Sequence, residues 1–303
     1  MREILVKSVL NKKKNRDRWF LDEYTLNPYE GCSFNCQYCY IRGSKYSENM
    51  DDGLSVKINA PKILDRQLAF RVKKAQYGII ALASATDPYL RAEEKYRMTE
   101  TFLEIILKHR FPVLIITKSD MVLRDLDVLH KIDGQAIHAP DLQGKIRRGV
   151  IISFSFSTLD EELAATLEPG APPPLVRLET MKKCKEAGFL TGVNCIPSLP
   201  FISDTEEKLE EMVRSAKLYG ADYILIGGLT LFGTGPADSK TLYYRFLSRT
   251  FPERIKDYER LYGTFFMPPK NYLHRLEERA DRLCKKFQIR RGIIEDEVGD
   301  FAQ

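Results

Sequence analysis

Residues 27–40 read Asn27-Pro28-Tyr29-Glu30-Gly31-Cys32-Ser33-Phe34-Asn35-Cys36-Gln37-Tyr38-Cys39-Tyr40. Cys32, Cys36 and Cys39 stand at C-x3-C-x2-C spacing, on a loop that Gly31 opens. Cysteine thiolates are the usual ligands of an iron–sulfur cube, which has four iron corners. This loop wraps three of them, and Cys184, Cys195 and Cys284 lie far along the chain. The spacing therefore reads as a [4Fe–4S] cluster with one open iron, free to take a small ligand that supplies nitrogen and oxygen. The amino and carboxylate groups of S-adenosylmethionine meet that need. Zinc accepts three cysteines plus a histidine or carboxylate, but no histidine precedes His109. A disulfide is disfavoured in a reducing compartment, and an electron-transfer cluster takes four protein ligands. The runner-up reading is a zinc-stabilised nucleic-acid-binding protein without catalysis.

Outward from the loop, strand-like and helix-like segments alternate from about residue 24 to about residue 232. Tyr24–Asn27 reads as a short strand that runs into the loop. Apolar strand runs follow at Gly78–Ala83, Val113–Ile116, Val150–Phe156, Phe189–Ile196 and Tyr223–Ile226. Between them lie helical patterns. Pro61 opens the first, with Ile63, Leu64, Leu68 and Phe70 on its apolar side. Met98, Phe102, Ile105 and Ile106 mark the second, and Met121–Ile132 forms the third. Leu175, Leu178 and Met181 mark one that ends near Gly188, and Leu209, Met212, Val213 and Ala216 mark one that ends at Gly220.

Continuous apolar strands imply a parallel sheet covered on both faces. The expected fold is α/β, a partial (β/α)6 TIM-type barrel with parallel strands and a helical C-terminal extension. One domain spans 1–303, with the core at about 24–232 and the extension at about 233–303. Chemistry in such folds gathers at the C-terminal strand ends, where the cysteine loop would lie. Residues 40–58 and the insertion 133–148 resist assignment, and long loops of this kind are often functional.

The composition sets looser bounds. A chain of 303 residues with 44% apolar residues builds a sizeable core. A net charge of +5 permits an anionic partner without demanding one. The basic run Lys7, Lys12, Lys13, Lys14, Arg16 and Arg18 reads as a solvated hairpin tip rather than a phosphate site. No apolar stretch is long enough to span a bilayer, and charges interrupt the N-terminus before a signal core can form. The expected location is cytoplasmic, with no membrane partner.

In these and further motifs the chain resembles the radical S-adenosylmethionine superfamily, in the branch related to spore photoproduct lyase (DNA-repair-photolyase-like). The resemblance runs from about Lys7 to about Ile226. It rests on Lys7-Ser8-Val9-Leu10-Asn11, Asn27-Pro28-Tyr29, Gly31-Cys32 and Ser84-Ala85-Thr86-Asp87-Pro88-Tyr89. Glu168-Pro169-Gly170-Ala171-Pro172, Arg177-Leu178 and Ile196-Pro197-Ser198-Leu199-Pro200 with Asp204 complete it. It implies that Cys32, Cys36 and Cys39 hold the cluster and that Tyr38 packs on the adenine. It further implies that Ser84, Thr86 and Asp87 approach the methionine end of the cosubstrate. Lys118 would pair with its carboxylate, and Ser155 would bond its polar groups.

The resemblance also implies a lyase-like radical enzyme served by a one-electron reductant of the flavodoxin or ferredoxin type. The substrate is left open among nucleic acid, peptide and small metabolite. One departure matters. The family's lyase is understood to use a cysteine after the second strand as hydrogen-atom donor, and this chain has Ser84 there. A hydroxyl O–H bond is too strong for that role, which argues against thymine-dimer repair. Tyr40 keeps one of the family's paired tyrosines. Cys195, at the end of the fifth strand, either replaces the missing donor or fills the core. Arg177 reads as a structural partner of Glu168. Gly227-Gly228 either approach the cosubstrate or turn the chain. The aromatic residues from Tyr243 to Phe266 read as helix packing against the barrel.

Overall fold

The computed structural model describes residues 1–44 and 53–294. In chain order the strands are β1 (Arg2–Ile4), β2 (Leu10–Lys12), β3 (Asp22–Leu26), β4 (Tyr29–Glu30), β5 (Ser55–Lys57), β6 (Ile79–Leu82), β7 (Val113–Thr117), β8 (Val150–Ser155), β9 (Leu190–Ser198) and β10 (Tyr223–Gly228). The helices are α1 (Ala60–Lys73), α2 (Glu93–Tyr96), α3 (Met98–His109), α4 (Leu126–Gln135), α5 (Glu161–Leu167), α6 (Pro174–Glu186), α7 (Glu206–Leu218), α8 (Ser239–Thr250), α9 (Ile255–Tyr262) and α10 (Lys270–Phe287).

The main sheet has the order β10-β9-β8-β7-β6-β3-β2. Its six strands from β3 to β10 are all parallel, and β2 is an antiparallel edge on β3. This is the expected partial (β/α)6 barrel. The sheet is not closed, because β3 and β10 do not pair among the described residues. A small sheet of order β1-β5-β4, absent from the sequence reading, braces the start of the cysteine loop. Residues 45–52 of the unassigned polar segment and residues 295–303 of the C-terminal extension lie outside the described residues.

Strand alternation sorts the two faces. Ile80, Leu82, Val113, Ile115, Ile152, Phe154 and Val193 join the helix layer, whereas Ile79, Ala81, Leu114, Ile151, Tyr223 and Leu225 face the lumen. Pro61 lies in the first turn of α1, where its missing N–H is harmless. Ile63, Leu64 and Leu68 are buried, but Phe70 is not. It lies outside, under the Lys74 ammonium at 4.4 Å from the ring centroid. A strand-like apolar residue on a helix is often covered by cationic stems instead of core. Leu175 is likewise exposed, while the stripe Leu209, Met212, Val213 and Ala216 of α7 is buried throughout. Met121 falls in a 3₁₀ turn, Asp120–Asp125, which precedes α4. Buried Tyr243, Phe246, Tyr258, Tyr262 and Leu276 of α8–α10 share the main core cluster with the barrel helices.

The 133–148 insertion is a plug. Asp133–Gln135 finish α4, and Leu142 and Ile146 are buried with Ile79, Leu114 and Ile151. The β2–β3 hairpin tip fills the open side: the Trp19 ring lies against Gly227 of β10, so close that a Cβ at Gly227 would come within 2.9 Å of it. No helix among the described residues is long and apolar enough to cross a membrane.

Candidate active site at the cysteine loop

The lumen and the cysteine loop enclose a cavity of about 470 Å³. Cys32, Cys36 and Cys39 line it together with Tyr38, Tyr40, Ser84, Thr86, Asp87, Lys118 and Ser155. Every site residue chosen from the sequence is therefore gathered on one cavity except Cys195.

The loop is held from several sides. Gln37 N donates to the Leu167 carbonyl at 2.8 Å, and Gly170 N donates to the Phe34 carbonyl at 3.1 Å. Gly170 must be glycine for this approach, since a Cβ there would collide with the Ser33 carbonyl oxygen. Thr86 Oγ1 donates to the Gly31 carbonyl at 2.6 Å, and Tyr40 Oη donates to the Ser84 carbonyl at 2.6 Å. Asp87 ties the ends of β6 and β7 together. It accepts from Tyr89 N, Thr117 Oγ1 and Lys118 N.

All three thiols are free. Burial, with the Asp87 charge added, pushes the Cys32 thiol up to about 11. Burial also pushes the Cys36 thiol well above its ordinary value. Among the described residues no three His, Cys, Asp or Glu side chains converge on a single-ion site. The three thiols share a wall instead.

Behind that wall lies a buried charge cluster. Glu168 accepts a hydrogen bond from Tyr38 Oη and one from Ser157 Oγ at 3.0 Å. It pairs with Arg177 at 2.5 Å and faces Lys118 Nζ at 3.9 Å. Burial opposes the Glu168 charge, but Lys118 and Arg177 outweigh it and hold the carboxyl below its usual value. Burial likewise opposes the Lys118 ammonium, while Cys36 and Glu168 raise it. The expected Arg177–Glu168 pairing is present, and Arg177 also donates to the Ser155 and Pro172 carbonyls.

Cys195 does not face the cavity. It belongs to the outer core between β9 and the helices, with Sγ 3.4 Å from Ser198 Oγ. Its neighbours Asn194 and Ile196 take the lumen side instead. Burial pushes its thiol up to about 11. Asn194 escaped the sequence reading. Its side chain is 2% exposed, lines the cavity, and leaves both amide atoms without a hydrogen-bond partner. A lone amide inside the apolar run Phe189–Ile196 was the available signal, because a buried amide in a strand must be satisfied by something.

A parallel-stranded partial barrel with a three-cysteine loop at its mouth defines the class, and the family comparison agrees. The model of the radical SAM superfamily matches residues 26–216, and the chain belongs to that superfamily. An uncharacterised protein of Mycobacterium tuberculosis is 29% identical over 95% of this chain and 81% of its own length. A radical SAM Nα-GlyT isomerase of Pseudomonas phage M6 is 22% identical over 83% of this chain and 48% of its own length. Among solved structures, a spore photoproduct lyase mutant superposes with a TM-score of 0.66 at 17% identity, covering 94% of this chain and 78% of that one. A spore photoproduct lyase mutant with bound AdoMet and dinucleoside spore photoproduct superposes with a TM-score of 0.63 at 16% identity. It covers the same shares of both chains. These likenesses establish the fold.

Proposed function

We propose that the protein is a radical SAM enzyme whose cluster ligands are Cys32, Cys36 and Cys39 and whose substrate enters the barrel lumen. The observation that carries this reading is the gathering of three free thiols, Lys118 and the orphaned Asn194 amide on one cavity. Three cysteines cover three corners of a [4Fe–4S] cube and leave the fourth open, whereas no histidine among the described residues lines the cavity to complete a Cys3His zinc site. Cys32, Cys36 and Cys39 would hold a [4Fe–4S] cluster that, once reduced by one electron, would supply reductive cleavage of S-adenosylmethionine to methionine and a hydrogen-abstracting 5′-deoxyadenosyl radical.

The chain's own residues bind, orient and shelter. Lys118 offers its ammonium to the cosubstrate carboxylate, exchanging its long contact with Glu168. Asn194 and Ser155 take polar groups of the nucleoside, and the Tyr38 ring packs on the base. Asp87 and Thr86 fix the strand ends to each other and to the loop. The apolar lumen excludes water from the radical. Tyr40, whose hydroxyl donates to the Ser84 carbonyl, is the candidate hydrogen-atom relay. No thiol other than the three loop cysteines lines the cavity among the described residues, so a cysteine-quenched repair of thymine dimers is not the reaction proposed.

The reductant is a one-electron flavodoxin or ferredoxin type. For the substrate, the dinucleoside spore photoproduct named with the lyase structure favours a nucleic-acid component over a peptide or metabolite. The test is anaerobic reconstitution, dithionite reduction and detection of 5′-deoxyadenosine by mass spectrometry. Product is expected only when all three loop cysteines are present. A preparation from anaerobic cells that carries stoichiometric zinc and no iron would overturn the reading.

A further inference from the structure

At the far end of the lumen from the cysteines stands a second group of polar side chains, contributed by the β2–β3 hairpin. Lys13, Asp17, Phe20 and Asp22 all line the same cavity. Asp22 pairs across the sheet with Ile79, four residues before Ala83 along the next strand. At the usual rise per residue that puts it about 13 Å from the cysteine end of the lumen.

The Asp22 side chain is 1% exposed. Its Oδ1 accepts from Lys13 Nζ at 2.8 Å, and its Oδ2 is buried with no hydrogen-bond partner. Asp17 fixes the hairpin around it, accepting from Trp19 N and Phe20 N at 2.8 and 2.9 Å and lying 3.6 Å from Lys13 Nζ. A buried carboxylate oxygen left without a donor is costly. The other walls nearby, Phe20, Ala81, Ile116 and Ile196, offer no donor.

We propose that Asp22 is a substrate-recognition residue: its free oxygen receives an ammonium or other N–H donor at the end of the substrate remote from the reacting carbon. Lys13 and two aspartates together carry a net negative charge, so an anionic end is repelled and a cationic end is drawn in. Lys13 already occupies one oxygen, so it limits how tightly that donor is held. This inference rests on reading the cavity as the substrate chamber.

Trp19 is the sole tryptophan of the chain and sits on the same hairpin, which supplies a reporter. The holoenzyme is prepared with 5-fluorotryptophan and kept oxidised and anaerobic. Its ¹⁹F signal is followed during titration with benzylamine, benzyl alcohol and benzoate at neutral pH. Benzylamine is expected to give a saturable shift, benzyl alcohol to bind about tenfold more weakly or worse, and benzoate to give none. Asp22→Asn should weaken benzylamine about tenfold. Lys13→Gln should tighten it, an effect opposite in sign that general damage to the hairpin would not produce. Benzoate binding as well as benzylamine, unchanged binding in Asp22→Asn, or weakening by both substitutions overturns the inference. Binding is read without cleavage of S-adenosylmethionine. A protein that makes 5′-deoxyadenosine but ignores the charge of the probe sinks this inference alone, and one that binds benzylamine but makes no 5′-deoxyadenosine sinks the proposed activity alone.

Discussion

The Tyr38 hydroxyl donates a hydrogen bond to the buried carboxylate of Glu168. Tyr38 stands between the second and third loop cysteines, and Glu168 follows α5 on the far side of β8. The middle of the loop is thereby tied to a carboxylate that also faces two cations. Arg177 holds it closely and Lys118 only at 3.9 Å. The asymmetry matters for function. Arg177 is committed to two backbone carbonyls as well, whereas Lys118 is the more loosely held cation, the one the proposed function assigns to the cosubstrate carboxylate.

Replacing Glu168 by Gln keeps the shape and removes the charge. Arg177 is then left buried without its counter-charge and Lys118 keeps, among carboxylates, only the weaker influence of Asp87, and breaking a buried pair in this way costs about 3–5 kcal/mol. Urea unfolding should show that loss, and iron content after reconstitution should fall with it because the loop loses its anchor. Adding Lys118→Met to Glu168→Gln should restore part of the stability, since it removes one of the stranded charges. A Gln variant as stable as the wild type would show that Glu168 is not the anchor.

Lys118→Met alone should spare the cluster and weaken the cosubstrate. A hydrogen bond to a charged group contributes about 1.5–3 kcal/mol, so the Kd for S-adenosylmethionine should rise roughly tenfold to a hundredfold. Anaerobic calorimetry on the iron-loaded protein measures this directly. An unchanged Kd would assign Lys118 to the Glu168 cluster only.

The two kinds of cysteine should separate cleanly. Cys36→Ala is expected to lose iron and all 5′-deoxyadenosine. Cys195→Ala removes a buried sulfur from the outer core at a cost of roughly 1 kcal/mol, and it should keep both iron and product. Loss of product in Cys195→Ala with full iron content would restore it as a donor.

The position of Cys195 shows where sequence reading stops. The six parallel strands were legible because each is a continuous apolar run, and the cysteine spacing needed no fold at all. Yet a strand buried on both faces carries no apolar–polar alternation, so nothing in Val193-Asn194-Cys195-Ile196 said which side each residue takes. The lumen side went to Asn194. The hairpin tip was legible as a hairpin but not as a wall: Lys7, Lys12, Lys14 and Arg18 are solvated as read, whereas Lys13 and Arg16 are drawn in at the open barrel edge. Lys13 and Arg16 pair with Asp22, Glu23 and Asp141 there, the last being 125 residues distant.

Asp22 gives the sharpest pH test. Burial raises its carboxyl above the ordinary value of 3.8, and the Lys13 contact offsets only part of that. The folded state therefore binds this proton more tightly than the unfolded state. In the window between 3.8 and the raised folded value, stability falls as pH rises, and the loss is complete above the folded value. Asp22→Asn removes the titration at nearly constant volume. In urea unfolding the variant should be more stable than the wild type at pH 8, and the gap should shrink as pH is lowered through that window. A variant less stable at every pH would make Asp22 a structural partner of Lys13. The expected outcome has a functional edge: a carboxylate that destabilises the fold where it stands is the pattern of a binding group. The substitution that strengthens the fold should then be the one that weakens benzylamine.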